Sequence, residues 1–189
     1  MTMFDAAATF PILATERLIL RDVQVSDAAD VLVFRGDPIV QRFDDPAIHT
    51  VAEAEAFIVD ELQAEYHTGE GITWGVTLAQ QDVVLGLFGF HRWDHYHRRA
   101  EVGYGLARTH WGQGLGSEAL RAILRFGFRQ MDLNRIYART IADNHGSVRL
   151  LERLGFQHEG TQRAHSLEDD GTFHDSAIYG MLTHESAGS

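Results

Sequence analysis

The chain has 189 residues, enough for one sizeable domain, and its 44% hydrophobic content is ordinary for a globular protein. It contains no cysteine, which excludes a disulfide framework, a thiol nucleophile and a thiolate metal site. The net charge of −11 lies entirely in residues 1–95, where sixteen acids face five arginines; residues 96–189 carry eleven of each, and every basic residue is arginine. That balance lacks the basic footprint of a nucleic-acid binder, and it suits either plain solubility or a cationic partner for the first half.

Glu16–Val23, ERLILRDV, alternates leucines with arginines and reads as an amphipathic strand. Ser26 or Asp27 caps a short helix that Gly36 and Pro38 end, and a second helix runs from Val51, with Ala54, Phe57, Ile58 and Leu62 at helical spacing, to Gly69. Ile72–Ala79 and Val83–His91 read as a hairpin, RWDHYHRR as a connection, and Ala100–Leu106 as a further strand. After a glycine-rich stretch, Leu115, Ala119, Leu120, Ile123, Leu124, Phe128 and Met131 form one apolar face of a helix of about 16 residues. Arg135–Ile141 is a strand, and Asn144–Leu154 a compact helix with Asn144 as N-cap and Gly155 just past its end. An extended segment from Phe156 and a last strand, Phe173–Leu182, complete one mixed α/β domain; the tail HESAGS reads as frayed. No run of about 18 apolar residues predicts a membrane span. The start, MTMFDAAATFPIL, has no basic leader-like region and carries Asp5, so a cytoplasmic, non-membrane protein is expected.

The stretch Arg108–Leu120, RTHWGQGLGSEAL, places Gly112, Gly114 and Gly116 between a strand and a helix, the arrangement in which backbone N–H groups and the helix dipole bind phosphate. A nucleotide P-loop needs a lysine, and the chain has none. A Rossmann fingerprint needs glycine where Ser117 stands and must open a parallel sheet, which the element order does not offer. Coenzyme A pyrophosphate and a ligand-free tight turn remain.

With EVGYGL (101–106) before the loop and NHGSVRLLERLGFQHEG (144–160) after it, the chain resembles the Gcn5-related N-acetyltransferase (GNAT) superfamily, RimJ/RimL-like branch, over about residues 14–183. The resemblance implies an α/β (α+β) fold: a mixed, largely antiparallel central sheet with a V-shaped splay between two central strands, flanked by helices. It implies transfer of an acetyl group from acetyl-CoA to a primary amine by direct attack in a ternary complex. Trp111, Gly112, Gln113, Gly114, Leu115, Gly116 and Ser117 would form the pyrophosphate loop, with Trp111 standing where the family has Gln or Arg. Tyr104, Gly105 and Leu106 would pair with pantetheine along the splayed strand, where one N–H would serve as an oxyanion donor. Asn144 would bond the pantetheine, or cap its helix, or both; Ser147 would protonate the leaving sulfur. Glu101 is the candidate general base, against a reading as a salt-bridged carboxylate near Arg98 or Arg99. His174 and Asp175 are candidates for the acceptor site, against plain turn chemistry. His91, Asp94, His95 and His97 have a spacing zinc could use, but arginines frame them, and a histidine-lined rim to the acceptor site or a plain polar loop, without metal, is the expectation.

A protein N-terminal α-amine, with pKa near 8, is the easier acceptor, because a lysine or polyamine amine near 10.4 must first lose its proton at a cost of about 4 kcal/mol. The branch likeness points the same way, toward ribosomal-protein N-termini. Small amines, antibiotics or amino-acid-like molecules are the alternative acceptors, a non-catalytic acyl-CoA sensor the alternative function, and a homodimer is compatible with the resemblance.

Overall fold

The computed structural model describes residues 9–43, 47–168 and 171–186; the stretch before residue 9, read above for a leader, and the last three residues of the tail lie outside the described residues. Strands β1 (Leu13–Ala14), β2 (Leu18–Arg21), β3 (Ile72–Leu78), β4 (Gln81–Asp94), β5 (Arg99–Leu106), β6 (Arg135–Ile141), β7 (Gln157–Leu167) and β8 (Phe173–Leu182) form one sheet in the order β1-β2-β3-β4-β5-β6-β8-β7. All neighbours run antiparallel except β5 and β6, which are parallel. The mixed, mostly antiparallel sheet expected from the resemblance is the sheet found.

Strand alternation divides the apolar residues between two faces. Leu18, Leu20, Trp74, Phe88, Phe90 and Val102 bury against α4 (Leu115–Arg129) and α5 (His145–Arg153). Val23, Val84 and Leu87 bury against α1 (Ala28–Arg35) and α2 (Val51–Phe57) on the other. The long second helix read from sequence is interrupted: α2 passes into a π-helical segment, Ile58–Gln63, before α3 (Ala64–Thr68) ends at Gly69 in the left-handed region. Thr50 caps α2 through the Glu53 N–H at 3.1 Å.

The end of the fourth strand differs from the sequence reading. The RWD of the supposed connection belongs to β4, which runs to Asp94 through a bulge between His91 and Asp94, with Arg92 at φ 49°. A bulge admits an extra residue without ending the strand and turns the following side chain, so it leaves no simple alternation to read. The segment after Phe156 is the edge strand β7, itself bulged twice, with Ala164 at φ 48°.

The first helical unit is anchored by a nearly buried carboxylate. Asp27 accepts two hydrogen bonds from the Arg21 guanidinium, at 2.8 and 2.9 Å, and one from the Gln24 N–H at 2.8 Å. Burial alone would raise its pKa, but these donors hold it below the usual carboxylate value. Asp27→Asn is expected to cost about 1.5–3 kcal/mol at neutral pH, measured by urea unfolding. A depressed folded-state pKa contributes stability that is fully present above the unfolded value, so the gap between wild type and variant should narrow as pH falls below about 4.

Candidate functional site

The sheet opens at its centre. β5 and β6 pair only at Arg99↔Arg135, Ala100↔Ile136 and Glu101↔Tyr137. From Val102 onward β5 stays with β4 as far as Gly86↔Leu106, while β6 stays with β8 as far as Ile141↔Ser176. The two strands therefore part at their C-terminal ends and leave the inner edge of β5 without a strand partner, the expected V-shaped splay.

The glycine loop lies beside this gap and enters α4. Gly112 and Gly114 have φ of +73° and +79°, the left-handed conformation that glycine adopts without strain. The first bond of α4 runs from the Glu118 N–H to the Gly114 carbonyl, so the amides of Gly114, Leu115, Gly116 and Ser117 precede the helical ladder and carry the positive end of its dipole. Gly116 is not strained; a Cβ there would make only ordinary contacts at 3.9 Å with Leu150 and Phe88. Trp111, in the family's Gln/Arg position, turns its indole N–H inward to the Leu106 carbonyl at 2.7 Å, tying the loop to the end of β5.

A brace from the start of the chain holds the loop, and sequence reasoning missed it. Arg17 donates to the Gln113 carbonyl at 3.0 Å and grips Glu118 with its guanidinium, while Thr15 and the Arg17 N–H also donate to Glu118. Burial opposes ionisation of Glu118, and these four donors overcome it and hold the carboxyl below its ordinary value. No periodicity links positions 17 and 118, so only the fold reveals the pair.

On the α4–α5 face, Asn144 accepts the Ser147 N–H at 3.1 Å and so caps α5, while its carboxamide NH₂ has no protein partner among the described residues. The Ser147 hydroxyl meets the Tyr104 hydroxyl at 2.8 Å. Tyr104 stacks on Phe88, and burial pushes its phenol up to about 12 despite the Ser147 hydrogen bond, which pulls the other way. Tyr104 entered the sequence reading for its backbone alone; the hydroxyl pair is new.

The opposite face of β5 presents Glu101, Gly103 and Gly105. Glu101 accepts from Arg139 at 3.0 and 3.4 Å and from Arg92 at 3.0 Å, so its salt-bridge partners are these two arginines rather than Arg98 or Arg99. The histidine run disperses. His91 pairs with Glu65 at 2.7 Å, His95 stacks on Trp93 and meets the Gly69 carbonyl, and His97 binds Asp94. Hydrogen bonds from the His97 N–H and ring, with Arg99 nearby, hold Asp94 at about 2. His174 sits near Asp143 and Thr172, and the Asp175 carboxylate accepts the Ala164 N–H at 2.8 Å, which commits it to the β7 bulge.

The model of the family described as Acetyltransferase (GNAT) domain matches residues 17–157. The chain is 34% identical over 174 residues to the uncharacterized N-acetyltransferase YoaA of Bacillus subtilis (strain 168), covering 92% of this chain and 97% of that protein. It is 30% identical over 128 residues, 68% of each protein, to the putative ribosomal N-acetyltransferase YdaF of the same organism. Among solved structures it shares the fold of RimL, a ribosomal L7/L12 alpha-N-protein acetyltransferase in complex with coenzyme A, with TM-score 0.83, 21% identity and coverage of 91% and 98% of the two chains. The chain belongs to the GNAT acetyltransferase family and is an N-acetyltransferase.

Proposed function

We propose that the splay between β5 and β6 receives acetyl-CoA from the α4–α5 side and that the chain passes its acetyl group to a primary amine arriving from the other face. The observation that carries this reading is the run of amides from Gly114 to Ser117, without protein partners among the described residues, at the head of the fifteen-residue α4 and beside the unpaired edge of β5. These amides, with those of Gly112 and Gln113, hold the pyrophosphate. The Asn144 NH₂ and the β5 backbone from Tyr104 to Leu106 hold the pantetheine, and a β5 N–H polarises the thioester carbonyl. As the carbon–sulfur bond breaks, Ser147 gives its proton to the sulfur and draws on Tyr104 behind it. Direct attack suits a chain without cysteine.

The acceptor we propose is a protein N-terminal α-amine, with the ribosomal-protein acetyltransferases named above as support. An α-amine near pKa 8 is already partly neutral at cellular pH, whereas a side-chain amine near 10.4 is not.

Calorimetric titration of acetyl-CoA into wild type and Gly116→Glu tests the cofactor site. This substitution sits at an unstrained helical position in the first turn, where a carboxylate suits the dipole, so the fold should hold. Binding at least about 100-fold weaker than wild type, with unchanged melting temperature, is expected from charge repulsion at the pyrophosphate. A folded wild type that binds no acetyl-CoA would overturn the reading.

Thiol release with peptides bearing N-terminal Ser or Ala tests the proton donor. Ser147→Ala should lower kcat by about 10²-fold with little change in KM for acetyl-CoA. With Tyr104 held at about 12, its hydroxyl stays protonated through alkaline assay conditions, so wild-type kcat should show no fall from this pair up to about pH 10.

A further inference from the structure

Glu65 and His91 stand 26 positions apart, yet their side chains meet on the face of β5 turned away from Tyr104. His91 Nδ1 lies 2.7 Å from Glu65 Oε2. A carboxylate only accepts, so the hydrogen is on Nδ1, and in the neutral ring the lone pair is on Nε2. Nε2 has no protein partner among the described residues.

Bare backbone makes room for both groups. A Cβ at Gly71 would come within 2.9 Å of Glu65 Oε2, and one at Gly103 within 3.2 Å of His91 Nε2. The imidazole therefore lies over Gly103, on the part of β5 that β6 has left. Beyond it the face is open: a Cβ at Gly105 would meet nothing within 4 Å. The side chains of His91 and Glu65 are 35% and 32% exposed, braced yet reachable from solvent. The π-helical segment Ile58–Gln63 re-sets the helical phase just ahead of Glu65, a device common at functional sites. Glu101 lies on this face among Arg92, Arg99 and Arg139, with the Arg135–Glu159 pair farther along β6, and it already accepts three hydrogen bonds from Arg92 and Arg139.

We propose that His91 takes the proton from the incoming amine and that Glu65 is its positioning residue, fixing the tautomer and the ring over Gly103. This rests on the functional reading above and deepens it. The ammonium gives one proton to Nε2, and the neutral amine then attacks the thioester carbonyl. The carbon–nitrogen bond forms and the carbon–sulfur bond breaks. The sulfur takes a proton from Ser147, and the second proton shed by the nitrogen restores that hydroxyl through Tyr104 and water. The His91 proton passes to solvent, so each turnover yields amide, free thiol and one proton.

The test is the pH profile of kcat/KM for thiol release, using acetyl-CoA with N-terminal Ser and Ala peptides and, separately, spermidine. Acetyl-CoA affinity is measured on each variant as the control for folding. Wild type should level off below the amine's own pKa. His91→Gln should bind acetyl-CoA normally yet lose about 10-fold with the peptides and about 10³-fold with spermidine at pH 7, following the neutral fractions of amines near pKa 8 and 10.4. Its rate should then climb tenfold per pH unit toward the amine's own pKa, near 8 for the peptides, because only amine already neutral in solution reacts. Glu65→Ala should fall between wild type and His91→Gln with each amine, and Glu65→Gln, which still accepts the Nδ1 hydrogen, should regain most of the loss.

Wild-type kcat/KM in His91→Gln, or loss of the plateau in Glu101→Gln with its retention in His91→Gln, would overturn the proposal and leave the acetyltransferase reading intact. A wild type that binds acetyl-CoA but releases thiol with none of these amines would instead overturn the acceptor reading on which the proposal rests.

Discussion

The parting of two parallel strands is the constraint on which the rest of the molecule turns. β5 is held by β4 along nearly its whole length and β6 by β8 along all of its own, so two antiparallel ladders pull in diverging directions on a pair that has only three residues in register. Backbone polar groups inside a fold require partners. An inner strand edge left bare must find its partners in water or in a ligand. The glycine loop, its Arg17–Glu118 brace and the capped start of α5 all cluster at the mouth of that opening.

Because successive side chains on a strand point to opposite faces, the short run from Glu101 to Leu106 sorts chemistry by parity. Tyr104 turns toward Ser147 on one side, while Gly103 lies beneath His91 on the other. Groups suited to giving a proton and a group suited to taking one stand apart by a single backbone thickness. A register slip of one residue would exchange the two faces, which makes the β4–β5 pairing as important to the site as any side chain in it. The bulge at Arg92 works in the same direction, since it brings that arginine round to Glu101 without disturbing the pairs from Phe90 inward.

Much of this was legible in the sequence, and the boundary between what was and was not has a physical cause. The amphipathic stripe of α4, the Asn144 cap and the Gly155 stop are local, each written within one or two turns, and all three appear where the sequence places them. The glycine loop was legible because glycine adopts positive φ without strain, as Gly112 and Gly114 do. Arg17–Glu118, Glu65–His91 and Glu101–Arg139 were not legible, since each joins residues far apart whose pairing no periodicity records. The bulges in β4 and β7 hid strand ends for a related reason: they interrupt the alternation by which strands are recognised. His174 and Asp175 show the converse case, with side chains that fall to holding the β7–β8 hairpin and the turn before α5.

The placement of Trp111 gives the molecule an optical address. Of the chain's three tryptophans, Trp74 is fully buried and Trp93 is 7% exposed, whereas Trp111 is 47% exposed at the rim of the glycine loop. A collisional quencher such as acrylamide therefore reaches one indole in three, and that indole is hydrogen-bonded to the last residue of β5. Emission from this single ring reports on the loop and the strand end together, with no label added and no residue exchanged.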